Sequence, residues 1–282
     1  MHKISDLERP PLPSSRSSPP VIGSEDSQHQ GASEETLGIE FRSVTKSFGD
    51  IVALRDINFT IERHARIGIV GPSGGGKSTL LHIVAGLLEP DAGLVNVEGG
   101  VESPDRLARC ALMPQRDLLL PWRTALDNAA IALENRGMSR ADARKATRPL
   151  FEKFGLAQFE DMRPAQLSGG MRQRVSFLRT LMAQKDVLLL DEPFGALDSI
   201  TRGQMQEWLV GAMEEVPRTV LLVTHDVEEA LLLSARVVVL SSRPGRVLRV
   251  LDCRFTRDAP RREVVTGAEF VALKEQALEV IE

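Results

Sequence analysis

The sequence predicts an α/β fold built on a parallel sheet, with a helical subdomain inserted into it. A Gly-rich loop, Gly71 to Thr79, stands between an apolar run, Ile67 to Val70, and a helix-like segment, Leu80 to Leu88. Two further runs, Val187 to Leu190 and Thr219 to Val223, are continuously apolar and end in polar residues, as strands buried on both faces of a parallel sheet do. Residues 117 to 185 carry mainly helical patterning, whereas short β-branched runs lie on either side of them.

The loop reads Gly71-Pro72-Ser73-Gly74-Gly75-Gly76-Lys77-Ser78-Thr79, a complete G-x-x-x-x-G-K-[ST] pattern in the strand–loop–helix context it requires. Glycines let successive backbone N–H groups face inward, and the helix start adds partial positive charge beneath bound phosphates. Gly71, Ser73, Gly74 and Gly76 thus form a candidate phosphate cradle, from which Lys77 reaches the β- and γ-phosphates as a mobile point charge. The Ser78 hydroxyl is placed to ligate Mg²⁺, and Thr79 to support the α-phosphate. The expected ligand is a nucleoside triphosphate.

The chain's 282 residues suffice to bury a large core, and its net charge of −4 with interspersed signs argues against a broad nucleic-acid face. Cys110 and Cys253 lack metal-type spacing and read as reduced thiols of a cytosolic protein. Apolar stretches such as Leu231 to Leu240, broken by Ser234 and Arg236, fall short of the roughly 20 residues that span a bilayer.

From the start, residues 1–36 are rich in Pro and Ser and lack both periodicity and the apolar segment of a secretory signal, so a disordered extension or a binding arm is expected. Ile39 to Val44 and Ile57 to Ile61 alternate as half-buried strands. The turn between them, Lys46 to Asp50, carries Phe48, which either stacks on an adenine ring or packs in the core. Thr124 caps an expected helix to Asn135, and a second begins at Ser139, where Pro149 should kink or restart it. Ser168 reads as the cap of another helix reaching Ala183, and Gly169-Gly170 open its N–H groups as a second anion site. Residues 256–282 are basic at first, then helical from Gly267 with Phe270, Leu273 and Leu278 apolar, as in a packed or a regulatory terminal helix.

Polar residues at strand ends of an open α/β sheet gather where ligands bind. Asp191 is expected to hold Mg²⁺ through water, Glu192 to act as base or water-orienter, and His225 to contact the γ-phosphate.

Taken with Leu167 to Arg174, these motifs make residues 39 to 255 resemble the ATP-binding subunits of ATP-binding-cassette transporters. Gly71 to Thr79 matches Walker A, Gln115 the Q-loop glutamine, Leu167 to Arg174 the signature, Val187 to Glu192 Walker B, Ala196 to Asp198 the D-loop and His225 the switch histidine, in family order. The resemblance implies a P-loop NTPase core of RecA type with an antiparallel β subdomain and the helical insertion, an ATP-binding domain over residues 37–255 with its helical subdomain at about 117–185, and a helical extension over 256–282. It implies ATP and Mg²⁺ as ligands and a head-to-tail dimer in which Ser168, Gly169 and Gly170 of one copy close over the Walker A loop of the other. Gln115 would approach Mg²⁺ and the attacking water, and Asp198 would communicate across the dimer at the nucleotide.

Asp117 to Asn128 and Ser242 to Val247 are similar to segments of importer ATPases for nitrate, sulfonate and taurine. This implies permease subunits as partners, an extracytoplasmic solute-binding protein as an indirect one, and a peripheral location on the cytoplasmic face of the membrane. Leu120, Pro121 and Trp122 are candidates for the permease groove or for packing beneath the Q-loop. A soluble cassette ATPase acting on nucleic acid or ribosomes would ordinarily show tandem cassettes or a long inserted coiled coil, and the chain has neither. The solute, and homodimer against heterodimer, stay open.

Overall fold

Residues with unbroken apolar character make the inner strands of the sheet, because such strands need both faces covered. In the computed structural model, which describes residues 37–253, 255, 259 and 261–281, the extension expected at 1–36 lies outside the described residues. The described chain runs β1 (Leu37–Phe48), β2 (Ile51–Glu62), β3 (Arg66–Val70), α1 (Lys77–Val84), β4 (Ala92–Val97), α2 (Ser103–Arg109) and β5 (Cys110–Met113). It continues through α3 (Ala125–Asn135), α4 (Arg140–Lys153), α5 (Gly169–Met182), β6 (Val187–Asp191), α6 (Ser199–Glu215) and β7 (Thr219–Val223). Last come α7 (Val227–Leu233), β8 (Arg236–Leu240), β9 (Val247–Asp252), α8 (Arg261–Thr266) and α9 (Ala268–Ile281).

Two sheets form. The larger has order β5-β6-β7-β3-β8-β9, parallel except for β9, and the smaller is antiparallel with order β2-β1-β4. Parallel pairing places the C-terminal ends of β3, β6 and β7 on one edge, so the loop after β3, Glu192 after β6 and His225 after β7 become neighbours despite their distance in sequence. Every residue of β6 and β7 is buried. One core layer joins the antiparallel sheet, α1 and the parallel sheet through Ile39, Ile57, Ile69, Leu80 and Val223.

The helical insertion is fastened to the sheet by aromatic side chains. Phe154 of the α4 end meets Trp208 of α6 edge-on at 4.4 Å between ring centroids, and Phe177 of α5 lies 6.1 Å from Phe194 beyond β6. Thr124 and Ser139 cap α3 and α4 by accepting the N–H of Asp127 and Asp142. The interruption expected at Pro149 does not restart the helix: α4 runs through it to Lys153. Pro149 and Lys145, whose carbonyl loses its partner, both face solvent, and Phe151 and Phe154 bury the next turn. Other limits shift too. The first helix begins at Lys77 and ends at Val84, a terminal helix precedes Gly267, and Leu278 is exposed while Phe270 and Ala277 pack inward.

Asp127 is the electrostatic knot of the insertion. It is fully buried, yet receives Arg140 at 2.6 Å, Arg144 at 2.9 Å and the Thr124 hydroxyl at 2.9 Å. Burial opposes its ionisation, but these hydrogen bonds prevail and hold its carboxyl well below the usual range. A depressed carboxyl stabilises the fold in full above the ordinary carboxylate pKa and loses that contribution as pH falls towards the depressed value. Asp127→Ala is expected to cost about 2 kcal/mol at neutral pH, because part of the pair remains buried without its partner. Urea unfolding at pH 7 and pH 3 should show the wild-type advantage at the first pH and its shrinkage at the second.

Candidate functional site

A cavity of about 420 Å³ opens at the C-terminal edge of the parallel sheet. Ser73, Gly74, Gly76, Lys77, Ser78 and Thr79 form its floor, and Asp191, Glu192 and Gln115 one wall. Phe48 and Ile51, which flank the β1–β2 hairpin turn, form the opposite lip. Phe48 ends β1 rather than sitting in the turn, and at 50% exposure it is not a core residue. Its ring lies 5.7 Å from Lys46 Nζ and faces the cavity, where a flat aromatic base can stack.

The loop geometry requires glycine at Gly76, which caps α1 at φ +84°. A Cβ there would stand 2.6 Å from Leu54 Cδ2 and 2.8 Å from the Ala53 carbonyl oxygen. Gly71 lies behind the cavity, and its carbonyl accepts Lys77 Nζ at 2.7 Å, with the Pro72 carbonyl accepting the same group at 2.9 Å. Burial lowers the Lys77 pKa, against the opposing charges of Glu192 and Asp191. Burial likewise raises that of Asp191, opposed by a hydrogen bond from the Ser78 hydroxyl and reinforced by Glu192.

Glu192 holds a left-handed backbone, φ +48°, of the kind that surrounding structure must enforce. Its N–H donates to the Val223 carbonyl at 2.8 Å, and its carbonyl accepts Gln173 Nε2 at 2.9 Å. Its side chain is thereby aimed so that Oε2 accepts Gln115 Nε2 at 3.0 Å and Oε1 lies 3.4 Å from His225 Nδ1. Loops after β5, β6 and β7 thus converge on one carboxylate.

Ser168, Gly169, Gly170 and Asp198 do not line this cavity. The Ser168 hydroxyl accepts the Met171 N–H at 3.2 Å and caps α5, whose first residues Ser168 and Gly169 are exposed. Asp198 accepts the N–H groups of Ile200 and Thr201 at the start of α6.

Sequence reading overlooked Gln173, which is buried and bridges the Glu192 carbonyl to the Ala196 N–H at 2.9 Å. It also overlooked Ile51 and Arg243, which line the cavity. Gln173 stands within the matched Leu167 to Arg174 segment, so an amide on the inner face of a capped helix was the available signal. Cys110 and Cys253 are both buried, and burial pushes the Cys110 thiol up to about 12, which leaves it inert.

The family model for ABC transporters matches residues 54–195, half of the chain, and spans the phosphate loop, Gln115, the α5 cap and Glu192. The chain belongs to the ABC transporter family. It is an ATP-binding cassette, and its activity is ATP hydrolysis. The cassette is 44% identical to the aliphatic sulfonates import ATP-binding protein of Rhodococcus jostii, over 86% of this chain and 93% of that one. It is 38% identical to the nitrate import ATP-binding protein of Synechococcus elongatus, over 89% and 93%. Among solved structures, a dimeric bacterial ABC transporter cassette superposes with a TM-score of 0.71 at 32% identity, covering 77% of this chain and all of that one. A dimeric cassette in a post-hydrolysis state with ADP and Pi gives 0.69 at 32% identity, with the same coverage.

The donor set suits Mg²⁺: Ser78 and Asp191 present hydrogen-bonded oxygens to the cavity, and the Gln115 amide also lines it. Mg²⁺ takes one or two carboxylates with substrate phosphates rather than an all-protein cage.

Proposed function

We propose that the cassette binds ATP in this cavity as one half of a head-to-tail dimer and drives uptake of a small anionic or zwitterionic solute, of the nitrate, sulfonate or taurine type, through separate permease subunits. The observation that carries the reading is the split of the machinery. The phosphate loop, Asp191 and Glu192 share one cavity, while the exposed Ser168 and Gly169 at the α5 N-terminus lie outside it. A helix N-terminus with free N–H groups attracts phosphate, and a second copy supplies the phosphate that this one lacks within reach.

Within one site, Phe48 stacks on the base, the loop N–H groups and Lys77 bind the phosphates, and Ser78, Asp191 and Gln115 hold Mg²⁺. The bound ion would neutralise charge on the transferred phosphoryl group. Glu192 accepts a proton from the attacking water, and Gln115 and His225 hold its carboxylate in place. ATP favours the closed dimer because only that state makes both sets of contacts, and hydrolysis removes the preference.

No helix among the described residues is long and apolar enough to cross a membrane. The cassette would sit as a peripheral subunit at the cytoplasmic face. The surface after Gln115 is suited to a permease. Trp122 is 70% exposed and Leu118 61%, so Trp122 does not pack beneath the loop, and Pro121 is exposed beside it. Asn128 fixes the segment by accepting the Leu120 N–H at 2.7 Å and donating to the Leu120 carbonyl at 3.1 Å. On the other side Arg172 and Arg179 of α5 grip Asp117 and Leu118. A partner pressing on this loop therefore pulls on both Gln115 and the α5 start. An extracytoplasmic binding protein would deliver the solute.

The test is to solubilise cells carrying tagged Glu192→Gln chain in detergent with ATP and Mg²⁺, purify the complex and identify its members by mass spectrometry. The expected result is a polytopic membrane protein in about equal amount, lost on Trp122→Ala. Ribosomal or DNA-bound partners without a permease would overturn the transport reading.

A further inference from the structure

We propose that Arg243, on the loop between β8 and β9, is a second cation of the nucleotide site and binds the polyphosphate chain alongside Lys77. The proposal rests on ATP occupying the cavity described above. Arg243 lines that cavity, and its Nη2 is the nearest atom that a Cβ on Gly74 would meet, at 3.3 Å, so the guanidinium lies directly beside the phosphate loop. Among the described residues it has no hydrogen bond or ion pair, whereas the arginines of the helical insertion, such as Arg140 and Arg144, are matched to carboxylates.

The loop backbone that carries it is held in place. The Gly245 N–H donates to the Ala53 carbonyl at 2.9 Å, and the Arg55 N–H donates to the Gly245 carbonyl at 2.9 Å, which adds Gly245 to the edge of β2. The Ser241 hydroxyl donates to the Pro244 carbonyl at 2.9 Å and accepts the Arg246 N–H at 3.0 Å, closing the loop on itself. Gly245 packs so tightly on the phosphate loop that a Cβ there would stand 2.2 Å from the Gly75 carbonyl oxygen. The loop carrying Arg243 is thus clamped between the phosphate loop and the strand that leads from the Phe48 lip.

A guanidinium presents paired donors that match phosphate oxygens, so a fixed Arg at the rim adds directional bonds where Lys77 supplies a buried point charge. The cavity is also lined by the acidic Asp191 and Glu192, and its lining cations are Lys77 and Arg243. Arg243 therefore offsets phosphate charge that Lys77 would otherwise meet alone.

The experiment is equilibrium binding of ATP, ADP and AMP to the full chain, as wild type, Arg243→Ala, Arg243→Lys and Lys77→Ala, each at low and high salt. Arg243→Ala should weaken ATP and ADP about tenfold, which is about 1.4 kcal/mol, and flatten their salt dependence. AMP should change far less, and Arg243→Lys should recover part of the loss. Equal loss for all three nucleotides would place Arg243 on the nucleoside or the α-phosphate that they share and overturn the polyphosphate contact. Unchanged ATP affinity in Arg243→Ala, with Lys77→Ala impaired, would overturn this proposal alone. Wild-type chain that binds no ATP would overturn the nucleotide reading with it. Gly245→Ala, which leaves the guanidinium intact but pushes its loop off Gly75, should reproduce the loss for ATP; normal affinity there would overturn the clamp.

Discussion

Glu192→Gln is expected to cut ATP turnover by about a thousandfold, within the span that general-base groups contribute, while ATP affinity stays within about twofold of wild type. The substitution keeps the volume and the strained backbone at φ +48°, so the site's shape survives. It removes the proton acceptor. It also sets an amide among Gln115 Nε2 at 3.0 Å and His225 Nδ1 at 3.4 Å, both of which approach the carboxylate oxygens. The amide oxygen can still accept from Gln115, and the new NH₂ can face His225 Nδ1, which accepts when the imidazole is neutral, so both neighbours can stay in place while the base is lost. Single-turnover hydrolysis separates the effects: the chemical step should slow, and the ATP-bound dimer should persist on size exclusion. Turnover within tenfold of wild type would remove Glu192 from the role of base.

Where function lies in contiguous residues, the sequence was readable. The phosphate loop, the capped α5 and the apolar strands β6 and β7 each declare themselves within about ten residues, because backbone conformation and burial impose local composition. Convergence of Glu192 and His225 followed from parallel strands ending on a common edge. Contacts between distant segments were not readable. Gln173 ties α5 to the turn after β6, and Gly245 presses on Gly75 from a loop about 170 positions later, and neither changes its own neighbourhood's pattern. At Pro149 a local rule expected a kink or a restart, and burial of Phe151 and Phe154 carried the helix past it without a restart. Phe48 needed the structure to set core packing aside, because only its half-exposed place at the cavity lip shows that it lies outside the core.

Lys77→Ala is expected to raise the ATP dissociation constant about a hundredfold, equivalent to about 2.7 kcal/mol, the scale of a lost pair of charged hydrogen bonds. Lys77 is 8% exposed, and its ammonium already sits in the loop, donating to the Gly71 and Pro72 carbonyls. Little ordering entropy therefore remains to be lost when phosphate arrives, and a preorganised charge binds more tightly than a mobile one. Without it, Asp191 and Glu192 face the incoming phosphates with no cation behind the loop, so repulsion adds to the lost attraction. The effect should grow from AMP to ADP to ATP, as charge approaches the ammonium. Lys77→Arg should not restore affinity, because the larger fork must fit where Nζ lies 2.7 Å and 2.9 Å from two backbone carbonyls. Titration of the three nucleotides checks this, and equal losses across the series would show that the substitution had deformed the loop instead of removing a phosphate contact.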